Sequence, residues 1–149
     1  MRAEQLFNKT NQFNFTTNRY DKAQLLKIAK KKNSFIKLVS LKDKFGDHGI
    51  IGSFSYRKAE KDIFIQDFIL SCRILSRKIE EYIIYYIKKK FKEHNIYLMY
   101  TKNNQNKDLI SIFLKKNYFK PIKNKALKPS HYLYKILFDK DLNDVKKFF

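Results

Sequence analysis

The sequence predicts a single α/β (α+β) domain with a mixed, mostly antiparallel central sheet flanked by helices, on three observations. Apolar runs of strand length alternate with segments of helical spacing along the chain. A strand meander precedes a strand–helix–strand unit, and such a crossover lays its two strands parallel. The 149 residues are 44% hydrophobic with only 3 Gly and 2 Pro, enough apolar material for one core and too little punctuation for linkers or low-complexity segments. Residues 1-149 are expected to form one domain, with 1–20 as a lead-in.

Met1–Thr17 is polar and aromatic and reads as irregular or strand-like. Asn18 and Asp21 are candidate caps for a helix near Asp21–Lys32 with Leu25, Leu26, Ile28 and Ala29 as its stripe. Phe35–Leu41 is a strand, Phe45–Gly49 a turn by its Gly/Asp content, and Ile50–Arg57 the second arm of a hairpin. After a turn at Ala59–Asp62 comes a third strand, Ile63–Ser71. The loop Cys72–Arg77 leads into a helix near Lys78–Glu93, apolar around so much of its circumference that packing on two sides is expected. Ile96–Thr101 is a strand, and the helix after it carries Leu109, Ile110, Phe113 and Leu114. Tyr118–Ile122 and Tyr132–Phe138 are further strands, and Asp139–Phe149 is read as a short helix.

The formal net charge is +19, from 33 Lys and Arg against 14 Asp and Glu. Lysine outnumbers arginine heavily, which fits a lysine-coated surface better than a set of phosphate-binding forks. Such a field still draws anions of any kind. Nucleic acid is not the expected partner, because no nucleic-acid motif occurs and the lysines are scattered through the chain. One cysteine, Cys72, excludes an internal disulfide and fits a reducing compartment. The longest unbroken apolar run is too short to span a bilayer, and the first residues lack the apolar core of a signal peptide. A soluble, cytoplasmic protein without a membrane partner is expected.

Three segments carry a family resemblance. Residues 2–20, RAEQLFNKTNQFNFTTNRY, resemble the "QLxNKTNQFNxTTxRY" segment of FkbH-like proteins; 41–52, LKDKFGDHGIIG, their "LxDrFGDxGivG" turn; and 69–80, ILSCRILSRKIE, their "lSCRvlGRgvE" loop. The element order also matches the GNAT acyltransferase architecture. The resemblance implies a GNAT-like acyl-CoA N-acyltransferase fold and a place beside a HAD-type phosphatase domain. It also implies the handling of an acyl or glyceryl thioester, on CoA or an acyl carrier protein, in secondary-metabolite or surface-polysaccharide biosynthesis. No HAD-type aspartate motif occurs here, so no phosphatase activity is expected; the phosphatase would be a separate subunit, or this is a stand-alone or remnant unit.

The resemblance also implies a site. In the GNAT fold a loop of pattern Q/R-x-x-G-x-G/A offers backbone N–H groups to the pyrophosphate of acyl-CoA, and the following helix adds its dipole. Arg73, Leu75, Ser76, Arg77 and Lys78 occupy that loop and are the candidate cofactor-binding residues. Ser76 and Lys78 replace the small positions, so charge rises where close backbone approach is lost. Asn106, with Asn104, resembles the family's "KN" segment and is a further cofactor-binding candidate; the plainer alternative is that both cap the next helix. No metal is expected.

Cys72, Glu80 and Asp47 are the catalytic candidates. Cys72 would form a thioester, its thiolate favoured by Arg73, Arg77 and the helix N-terminus; the alternative is a small buried hydrophobe. Glu80 lies in the first helical turn, where a carboxylate is favoured structurally as well. Asp47 would act as acid or base, or close its turn on backbone N–H groups; His48 beside it reads as a turn tip. Where many GNAT enzymes carry a tyrosine acid in "Y-x-x-x-G-F", this chain has Leu114 at the tyrosine and Tyr118 at the glycine. A docking module without turnover, binding an acidic carrier protein or a separate phosphatase, is therefore the alternative to an enzyme. Nucleic-acid binding is the third reading.

Overall fold

The computed structural model describes residues 2–71, 78–116 and 118–138. Strands β1 (Ser34–Asp43), β2 (Gly46–Ala59) and β3 (Asp62–Leu70) form an antiparallel meander. Helix α3 (Ile79–Lys90) then crosses over to β4 (Asn95–Thr101), which pairs parallel to β3. After helix α4 (Lys107–Leu114) come β5 (Phe119–Ile122) and β6 (His131–Ile136). Strand β6 pairs antiparallel with β4 and β5 closes the edge, giving the order β1-β2-β3-β4-β6-β5. Pro121 is tolerated in β5 because an edge strand has one side without a ladder to satisfy.

Two elements precede the sheet. Helix α1 (Arg2–Lys9) stands where the sequence reading expects irregular or extended chain. Its Ala3, Leu6 and Phe7 share one face and bury on the sheet, a spacing masked by the surrounding Asn, Thr and Gln. Helix α2 (Lys22–Lys30) begins as expected at Asp21, whose carboxylate accepts from Gln24 N at 2.8 Å while Gln24 Oε1 accepts from Asp21 N at 2.9 Å, a complete capping box.

The first hairpin is tighter than expected. Asp43 pairs with Gly46, so β2 begins four residues before Ile50 and the Gly/Asp segment lies inside the strand. Two register shifts in the β1–β2 ladder absorb it, and Gly49 takes φ +67°, open to glycine without strain. At Gly52 a Cβ would meet Leu70 Cδ2 at 2.5 Å and the Ile69 carbonyl at 2.9 Å, so glycine lets β2 and β3 approach.

Helices cover both faces. On one, Ala3, Leu6 and Phe7 of α1 and Leu25 of α2 pack with Ile69. On the other, Ile83, Ile84 and Ile87 of α3 and Ile110 and Phe113 of α4 pack on Ile63, Ile65, Phe68 and Leu70 of β3 and Ile96 and Leu98 of β4. A bulge between Ile65 and Asp67 breaks the alternation of β3, turning Asp67 toward the α1 side while Phe68 faces α4. The expectation that α3 is packed on two sides is corrected: Tyr82, Tyr85 and Tyr86 are exposed, their rings ending in a hydroxyl that tolerates water. The tail helix expected at 139–149 lies outside the described residues.

Candidate functional site

Pairing between β3 and β4 runs from Asp62↔Asn95 to Ile65↔Leu98 and ends there. In open α/β sheets the crevice at the carboxyl ends of parallel strands is where ligands are taken. The free backbone groups of two diverging strands need partners. Here the chain's own beginning supplies them. Phe15 N donates to Phe68 O at 3.1 Å, Leu70 N to Phe13 O at 3.0 Å, and Thr101 N to Phe15 O at 2.8 Å. Asn14 forms a single antiparallel bridge with Ile69. Residues 13–15 thus act as a third strand wedged between β3 and β4.

Their side chains fill the space as well. Phe13, Phe15, Phe68 and Phe113 contact one another in all six pairings, with ring centroids 5.3 to 6.3 Å apart. All four are buried, Phe15 completely. Removing one buried phenylalanine side chain costs about 3–5 kcal/mol. Lifting Phe13 and Phe15 out together would cost on the order of 6 kcal/mol, roughly a ten-thousand-fold penalty on any ligand needing their space. The crevice is therefore filled by the chain's own aromatic side chains.

A carboxylate clasps the wedge from the other face. Asp67, 2% exposed, accepts four hydrogen bonds: Thr16 Oγ1 at 2.7 Å and Asn18 Nδ2 at 3.0 Å on one oxygen, Ser55 Oγ at 2.6 Å and Tyr20 OH at 3.1 Å on the other. A buried carboxylate is tolerable when hydrogen bonds replace its water, and three of these four come from residues 16–20. Burial first, then the Asp67 charge, hold the Tyr20 hydroxyl well above the usual tyrosine value, so it stays a donor. Arg19 donates to Phe7 O, Asn11 Oδ1 and, at 3.2 Å, Thr10 O, tying the segment to the end of α1. Asn14 Oδ1 accepts from Thr17 N at 2.8 Å.

Asn106, a cofactor-binding candidate from the sequence, belongs to this construction. It is completely buried; Nδ2 donates to Asn14 O and Thr101 O, both at 2.9 Å, and Oδ1 accepts from Asn103 N at 2.9 Å. It stands at the N-cap of α4 without making a side-chain cap bond. Its amide is spent on joining residue 14 to the end of β4.

The loop candidates Cys72, Arg73, Leu75, Ser76 and Arg77 lie outside the described residues. Lys78 is at the N-cap of α3 with φ +60° and ψ +22°, the left-handed conformation that a glycine would adopt freely. Glu80, on the first turn of α3, has a buried Oε2 with no hydrogen-bond partner among the described residues. Burial, and secondarily the Glu81 charge, raise its carboxyl above the usual value. Nearby, the Tyr118 hydroxyl is also buried and unpartnered among the described residues, and burial, with Glu81 and Glu80, pushes it up to about 12. Glu81 of α3 pairs with Lys116, just beyond the end of α4. Asp47 stands apart in the hairpin, exposed, with Oδ1 accepting from Gly49 N at 2.8 Å. His48 Nε2 lies 3.1 Å from Asp43 Oδ1. The structure therefore brings Lys78 and Glu80 to one helix end and places Asp47 apart from them, at the start of β2.

Sequence reasoning missed Asp67, Ser55, Tyr100 and Tyr118 as polar groups of the interior. Only the aspartate offered a signal, as an acidic residue inside the apolar run Ile63–Ser71. On the α3 side of β1 and β2, a groove of 380 Å³ is lined by Val39, Leu41, Ile51, Ile79 and Tyr82, among others.

No protein-family model matches the sequence, and no curated protein matches it. Among solved structures it is similar to Arabidopsis thaliana NAA60 in complex with a bisubstrate analogue, with TM-score 0.63 and 13% identity over 93% of this chain and 92% of that one. It is similar to an acetyltransferase from Thermus thermophilus with TM-score 0.61 and 11% identity over 76% and 70%. Ard1 from Thermoplasma volcanium gives TM-score 0.58 and 13% identity over 83% and 84%. At such identities the likeness shows the fold, and the fold is that of the GNAT acyl-CoA N-acyltransferases.

Proposed function

We propose that this chain is an acyltransferase-type domain of the FkbH kind that handles an acyl or glyceryl thioester, presented by CoA or by an acidic acyl carrier protein. The observation that supports it is the β3–α3–β4 crossover, which sets the start of α3 at the carboxyl ends of two diverging parallel strands. There the backbone at Lys78 keeps a glycine-like conformation although the residue is lysine. The NAA60 structure holds a bisubstrate analogue on the same fold. By the resemblance, Arg73, Leu75, Ser76, Arg77 and Lys78 meet the phosphate end of the ligand, and Glu80, with its raised carboxyl, is the acid/base candidate. The charge of +19 steers an acidic carrier toward this surface. The setting is cytoplasmic secondary-metabolite or surface-polysaccharide biosynthesis, with a HAD-type phosphatase as a second partner.

Calorimetric titration with acetyl-CoA, and with phosphopantetheinylated acyl carrier protein, at near-physiological salt tests this. Saturable binding that Arg73→Ala weakens at least about tenfold is the expected result. Folded protein that binds neither ligand overturns the reading.

A second reading is favoured by the filled crevice: a domain that docks a carrier or a phosphatase subunit without turnover. It predicts carrier binding that lysine charge reversals abolish, with no binding of CoA.

A further inference from the structure

We propose that residues 13–20 permanently close the crevice between β3 and β4, with Asp67 as the clasp, so that any thioester is met outside the sheet and not within it. The inference goes beyond the proposed function, since it concerns where a ligand is excluded. Three independent observations converge on it. The wedge takes the backbone groups of both strands, through Phe68 O, Leu70 N and Thr101 N. An extended arm bearing amides would need those same groups. Phe13 and Phe15 complete a four-ring cluster with Phe68 and Phe113, so the volume is taken along with the hydrogen bonds. Asp67 and Asn106, 2% and 0% exposed, then hold the wedge from two sides by seven hydrogen bonds of 2.6 to 3.1 Å, four of which reach it directly, at residues 14, 16, 18 and 20.

A strap poised to open would be joined by few or exposed contacts. This one is core. Its displacement carries a penalty of about ten-thousand-fold, which a ligand gaining only two or three backbone hydrogen bonds in exchange does not recover.

Amide hydrogen exchange, read residue by residue by NMR on the full chain, tests the closure. In the free protein the amides of Phe15, Leu70 and Thr101 are expected to exchange as slowly as the slowest amides of β4 and β6. They are expected to stay so under saturating acetyl-CoA or phosphopantetheinylated carrier protein. Exchange at these three sites more than about a hundredfold faster than in β4, or protection lost on adding either ligand, overturns the proposal. If neither ligand binds, the proposed function fails while the free-protein rates still decide whether the crevice is closed. Asp67→Asn gives a second readout: it is expected to speed exchange at Phe15 and Thr101 more than at Ile96, and equal acceleration everywhere contradicts the clasp.

Discussion

Asp67 concentrates the polar energetics of this molecule. Its carboxylate has no cation beside it among the described contacts and is held by four neutral donors, from Thr16, Asn18, Tyr20 and Ser55. Removing it leaves the buried Ser55 hydroxyl and the half-buried Thr16 and Tyr20 hydroxyls without that acceptor, and a buried unsatisfied group costs about 1–3 kcal/mol. Asp67→Ala is therefore expected to cost about 3 kcal/mol, roughly a 10 °C fall in Tm. Thermal melting checks this, and a loss below about 1 kcal/mol would show the network to be surface-like. None of this is legible locally. An aspartate in an apolar run signals either an error in strand assignment or a paired buried charge, and its partners lie 12 to 51 residues away. Asn106 shows the same limit: in sequence it reads as a cap or a ligand contact, and only the fold reveals that its amide spans to Asn14.

At the scale of elements, local signals serve well where local forces decide. The capping box at Asp21 and Gln24, the β1–β3 meander and the crossover through α3 are all written in spacing and turn residues. Helix α1 escapes a sequence reading because its stripe of Ala3, Leu6 and Phe7 is short and set among residues that favour turns. The segment after it is readable as a motif but not as a place. Its insertion between strands depends on the early end of β3–β4 pairing, a property of the sheet. Helix α3 offers a test of its own. The Glu80 carboxyl is raised mainly by burial, so its protonated form is the one the fold prefers. Stability tied to it is present below the usual carboxylate value and is lost as pH rises through the raised one. Glu80→Gln should therefore melt above the wild type at pH 7, with the gap closing toward pH 4. A gap that widens on acidification would mean that Glu80 is stabilised as the anion.

Across the whole molecule, two layers of helices hold a twisted sheet of GNAT type whose parallel seam is sealed by the chain that precedes it. The +19 charge makes association with anions strongly dependent on salt, so binding experiments carry meaning only near physiological ionic strength. Under the proposed function, charge would bring an anionic partner to the surface, the start of α3 would meet the phosphate end, and the sealed seam would keep the thioester outside. The most direct test is an NMR titration of isotopically labelled full chain with phosphopantetheinylated acyl carrier protein. The account predicts saturable shifts at Lys78, Glu80 and their neighbours, with Phe15, Leu70 and Thr101 unmoved. Shifts centred on Leu70 and Thr101 would contradict it, by placing the thioester arm inside the sheet.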